Sequence, residues 1–162
     1  MKKRFLLVLL LIILPFGLFA DFGIGGAVFY NSPVLIGQEV DTSGIGLSDF
    51  TFGANARYKF SFLQLDGLVL LTLGDNAVAD AFLDVEACLD LLMLRLSAGL
   101  GPNLSYNFSD GGMETGFNAK ANVDLKLGKI SLGLSYIMAL NLDGGIALDK
   151  STGLLGATIL LW

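Results

Sequence analysis

The sequence predicts an all-β fold, an eight-stranded antiparallel up-and-down transmembrane β-barrel, on three observations. Its 162 residues are 54% hydrophobic and only 15% charged, too apolar for an ordinary water-soluble domain and the reverse of a disordered chain. Yet beyond residue 20 no uncharged apolar run of about 18 residues is left to cross a membrane as a helix. In its place stand segments of about ten residues in which apolar and polar side chains alternate, joined by connections that are alternately long and short.

The N-terminal element reads as a secretory signal peptide. Lys2-Lys3-Arg4 is its basic start, Phe5 to Phe19 its apolar stretch, and Gly17-Leu18-Phe19-Ala20 its cleavage site before Asp21. No cysteine follows that site, which argues against a lipoprotein; an uncleaved anchor helix is the alternative. The expected organisation is therefore 1–20 removed and 21–162 as one barrel domain. The mature part keeps seven basic against fifteen acidic residues, a net charge of −8, which disfavours nucleic-acid binding.

Eight strands are expected at 22–30, 50–59, 63–73, 81–91, 93–106, 117–127, 130–140 and 153–162. The first ends at Asn31-Ser32-Pro33, a turn signal. The second alternates cleanly: Phe50, Phe52, Ala54, Ala56 and Tyr58 on one face, Thr51, Gly53, Asn55, Arg57 and Lys59 on the other. The fourth places Asp84, Glu86 and Asp90 opposite Leu83, Val85, Ala87, Leu89 and Leu91, although Phe82, Val85, Leu89 and Leu92 also fit helical spacing. The sixth repeats the second, with Phe117 to Leu127 on odd positions and Asn118, Lys120, Asn122, Asp124 and Lys126 on even ones. The third, seventh and eighth are apolar on both faces, so their inward side stays open.

Long connections centre on Asn31–Ser48, Gly74–Asp80, Asn107–Thr115 and Asn141–Thr152, and short turns on Ser61-Phe62, Leu91-Leu92 and Gly128-Lys129. That asymmetry suits periplasmic N- and C-termini with long loops outside. A two-residue turn switches the inward parity, so Lys59 leads to Gln64, Asp90 to Met93 and Lys126 to Ser131; the first turn sets Arg57 across from Asp66.

The inward charges are then Arg57, Lys59, Asp66, Asp84, Glu86, Asp90, Arg95, Lys120, Asp124 and Lys126, five of each sign. A neutral set suits an ion-paired network in a barrel just wide enough for its side chains. A gate or polar pore lining is the alternative. Above that floor, Leu68, Leu70, Phe82, Ile137, Ala139, Leu155 and Ala157 form a candidate apolar ligand cavity, with Gly25, Ala27, Gly99 and Gly101 leaving room. Aromatic girdles are expected from Phe22, Tyr58, Phe60, Phe62 and Trp162 at one end, and from Phe29, Tyr30, Phe50, Phe52, Tyr106, Phe108 and Phe117 at the other.

With leader, alternation, loop asymmetry and the terminal Gly-Ala-Thr-Ile-Leu-Leu-Trp162, the chain resembles the small eight-stranded bacterial outer-membrane barrels, the OmpA membrane domain, OmpX and OmpW families. The resemblance implies an outer-membrane location, lipid and the barrel-assembly machinery as partners, and Leu154, Leu160 and Trp162 as the assembly signal. OmpW-like barrels imply a small hydrophobic solute as ligand. The other functional class is a surface protein displaying loops to a host or cell-surface ligand, with the apolar Val34-Leu35-Ile36 in the longest loop.

The chain has no histidine, which removes imidazole chemistry and argues against a lipid-modifying enzyme. The loop acids show no metal-ligand spacing, so no metal or cofactor is expected, and the lone Cys88 reads as a small lumen residue. A soluble lipocalin-like barrel, with the charged faces turned outward, is the competing architecture.

Overall fold

The computed structural model describes residues 20–30, 46, 49–73, 77–142, 147–149 and 153–162. The expected leader lies outside them except for Ala20, as do Val34-Leu35-Ile36 and the loop acids Glu39, Asp41, Asp75 and Asp143.

The strands are β1 (Ala20–Tyr30), β2 (Phe50–Phe60), β3 (Leu63–Thr72), β4 (Val78–Leu91), β5 (Leu94–Asn107), β6 (Met113–Leu127), β7 (Ile130–Asn141), β8 (Ala147–Leu148) and β9 (Leu154–Leu161). Each long strand pairs antiparallel with its neighbour in sequence, and β9 pairs with both β7 and β1, which closes an eight-stranded barrel. The two-residue β8 extends the wall beside the end of β7. The segment with competing helical spacing is strand, because its acids share one face and pair across the ladder.

The turn residues are Ser61-Phe62, Leu92-Met93 and Gly128-Lys129. The first residue of each takes a left-handed φ: 55° at Ser61, 53° at Leu92 and 68° at Gly128. Tight hairpins need that sign to match the twist of the strands they join. The middle turn sits one residue later than expected. Asp90 therefore pairs with Arg95, and Met93 belongs to the turn instead of the lumen. At the other end β4 and β6 begin earlier than expected, at Val78 and Met113. The connection between β5 and β6 shrinks to a tight loop closed by Asn107 N to Gly112 O at 2.9 Å and Gly111 N to Asn107 O at 3.0 Å. The start of β1 and the end of β9 lie at the turn end of the barrel.

Every charged residue of the eight long strands falls on the inward parity. The outer wall is made of exposed Leu, Val, Ile, Phe and Tyr, among them Ile24, Val69, Leu83, Leu100, Val123, Leu134 and Ile159. This overturns the lipocalin-like alternative, since the charged faces line the interior and the apolar ones form the surface.

Candidate functional site

The interior divides into three layers. In the loop half, Ala27, Phe29, Leu68, Leu70, Phe82 and Ile137 are buried and pack as one apolar cluster, with Leu154 against it. Phe29 enters because its cross-strand partner is Gly156, where any Cβ would collide with the Phe29 ring.

At mid-height six charged side chains meet. Arg57 lies 2.7 Å from Asp66 and 2.7 Å from Asp124, all three with fully buried side chains. Lys120 reaches Asp66 at 2.9 Å and Asp84 at 3.9 Å. Asn118 donates to Asp84 at 2.7 Å, and Asn55 donates to Asp66. Glu86 is held by neutral donors: Gln64 at 2.9 Å, Ser97 at 2.6 Å and Asn122 at 2.9 Å. Gly133, paired with both Asp124 and Thr158, leaves room for the Asp124 carboxylate. Buried charge of this kind is tolerable only when nearly every lone pair finds a donor, and the short amide and hydroxyl side chains supply them.

At the turn end Asp90 gathers Lys59 at 3.0 Å, Arg95 at 2.8 Å and Lys126 at 3.7 Å. The Trp162 ring lies 4.5 Å from the Arg95 guanidinium carbon and rests against Gly23, and the residue is anchored by its backbone N–H, which donates to the Lys129 carbonyl at 2.9 Å.

All ten expected lumen charges thus line the interior, and Arg57 faces Asp66 as the turn geometry predicts. Sequence reasoning placed Asn55, Asn118 and Asn122 on polar faces without giving them roles; here they, Gln64 and Ser97 complete the network. Of the expected apolar lining, Leu68, Leu70, Phe82 and Ile137 are buried in the cluster, and Ala139 faces in above it.

Three expectations are corrected. Leu155 and Ala157 do not line the interior: Leu155 is 43% exposed on the outer wall, and Leu154 takes the inward place. Ile137 pairs with Leu154 and Tyr136 with Leu155, so once Ile137 faces in, Leu155 must face out. Phe29 leaves the outer girdle for the core. Trp162 likewise leaves its girdle for Arg95, on the inward parity that it shares with Leu154 and Leu160.

A cavity of about 840 Å³ opens at the loop end between β4, β5, β6 and β7. Its lining joins the inward-facing Phe82, Asn103, Gly116 and Ala139 to Leu83, Leu104 and Phe117 of the outer wall.

No protein-family model matches the chain, and no curated protein matches it in sequence. Among solved structures, the crystal structure of Neisserial surface protein A is similar, with a TM-score of 0.54 and 14% identity over 88% of this chain and 97% of that one. At that identity the likeness speaks to fold alone: this chain has the architecture of a small closed eight-stranded barrel.

Proposed function

We propose that this chain is a bacterial outer-membrane barrel, closed to free diffusion, that binds a small apolar solute at its loop-end mouth. The observation that carries the membrane reading is the outer wall, on which no long strand places a charge. Such a surface is stable against hydrocarbon and insoluble in water. Long loops outward and turns inward to the periplasm complete the orientation. Closure is supported by the apolar cluster in one half of the lumen and the ion-paired layer below it. Binding is supported by the loop-end cavity, whose volume suits a small-molecule ligand and whose lining includes Phe82 and Ala139.

The test uses the full chain in lipid. In planar bilayers the expected conductance is at the background of protein-free membranes; stable channels of ion-pore size would sink the closed reading. In nanodiscs, fluorobenzene followed by ¹⁹F NMR is expected to show saturable binding beyond that of empty discs. Ala139→Trp, which fills the mouth, is expected to weaken it at least tenfold. Unchanged binding in that variant would place the solute elsewhere.

A further inference from the structure

We infer that the turn end of the lumen is a binding site for a phosphate-type oxyanion. The ten expected lumen charges balance in number but not in place, and the long strands add the acids Asp21, Asp80 and Glu114 on the same inward parity. The mid-height layer holds Arg57 and Lys120 against Asp66, Asp84, Glu86 and Asp124. The turn end holds Lys59, Arg95 and Lys126 against Asp90 alone. One carboxylate is shared by three cations, and two positive charges are left over.

Among the described residues, no acid other than Asp90 lies within ion-pair distance of these three cations. Asp124 sits directly across from Arg95, but its carboxylate is engaged by Arg57 at 2.7 and 2.9 Å. Asp21, across from Lys59, is exposed at the rim, and Lys129 on the adjacent turn adds a further cation. Arg95 is 1% exposed, yet its Nη1 has no hydrogen-bond partner, and the Nε1 of Trp162 stacked beside it is also buried without one. Unsatisfied buried donors are costly, and a charged one most of all. The cluster is nonetheless reachable: the Lys126 and Asp90 side chains are 32% and 34% exposed. Two lysines, a guanidinium and an indole N–H around one opening are donors only, and they match the several acceptor oxygens and double charge of a phosphate. The site is independent of the solute reading at the opposite end.

Trp162 is the chain's single tryptophan, so its fluorescence reports on this site. The full-length barrel in phosphatidylcholine nanodiscs is titrated with inorganic phosphate, with sodium chloride of equal ionic strength as control. A saturable change in emission is expected with phosphate alone. Lys126→Gln and Lys59→Gln are each expected to weaken it about tenfold, the loss of one charge-assisted contact. Asp90→Asn, which removes the competing carboxylate, is expected to tighten it several-fold. Heat-dependent gel migration verifies that each variant is folded. In phosphatidylglycerol nanodiscs, an emission already shifted and insensitive to added phosphate identifies a lipid headgroup as the source; an unshifted, titratable emission identifies soluble phosphate. A chloride effect equal to that of phosphate, or wild-type titrations in both lysine variants, would overturn the site.

Discussion

Arg57 lies within 2.7 Å of two carboxylates that have no solvent exposure. Its removal therefore exposes a cost larger than the pair itself contributes, because Asp66 and Asp124 stay buried. Arg57→Met is expected to destabilise the barrel by about 3–5 kcal/mol, read from urea unfolding out of lipid vesicles. Adding Asp66→Asn and Asp124→Asn to that variant recovers much of the loss; if it recovers none, the network is not what Arg57 supports. A smaller effect belongs to Gly128, whose φ of 68° any side chain resists and around which a Cβ would meet nothing within 4 Å. Gly128→Ala is expected to cost about 1 kcal/mol through backbone conformation alone, in the same unfolding measurement. The residue types on the polar faces were legible in the sequence. The partner of each was not, since Arg57 meets Asp124 across 67 positions of chain.

β1 and β9 close the barrel, and their seam depends on one large and one small residue. Phe29 faces Gly156 directly and fills the space that a side chain there would take. Gly156→Ala is expected to force the ring aside and cost about 1–3 kcal/mol. Combining it with Phe29→Ala is expected to give far less than the sum of the two single losses, because both act on one volume. Strict additivity would mean that the ring and the glycine do not share that space. Strand positions were readable wherever polarity alternates, as in β2 and β6, and the Ser61 and Gly128 turns fell where composition puts them. The Leu92-Met93 turn slipped by one residue because Leu91, Leu92, Met93 and Leu94 carry no turn signal of their own. There the pairing of Asp90 with Arg95 sets the register.

For the molecule as a whole, polarity runs opposite to that of a water-soluble barrel: charge inside, hydrocarbon outside. Folded barrels of this kind resist dodecyl sulfate until heated, because every strand edge is paired and none is left to open. The unheated protein from the membrane fraction is therefore expected to migrate differently from the boiled one. Identical migration, with the protein in a soluble fraction, would remove the membrane reading. The same closure brings the two expected site layers onto one axis, an apolar cluster toward the loops and ions toward the turns. It also separates the ions by sign, with acids in excess at mid-height and cations in excess beside Trp162.

Alternation by itself determined the fold class, the eight strands and the inward side of β2, β4 and β6, because period-two polarity is a local property of the chain. It was silent where both faces are apolar. For β3, β7 and β9 the inward side passes from strand to strand through the hydrogen-bonded register, which is why Leu154 and not Leu155 faces the interior. Phe29 and Trp162 turned inward for a related reason. Gly156 and Gly23 leave space beside them that exists only after distant strands have met. The segregation of lumen charge was decided at the same level: the count of charges is written in the sequence, but their heights along the barrel come from the pairing of its strands.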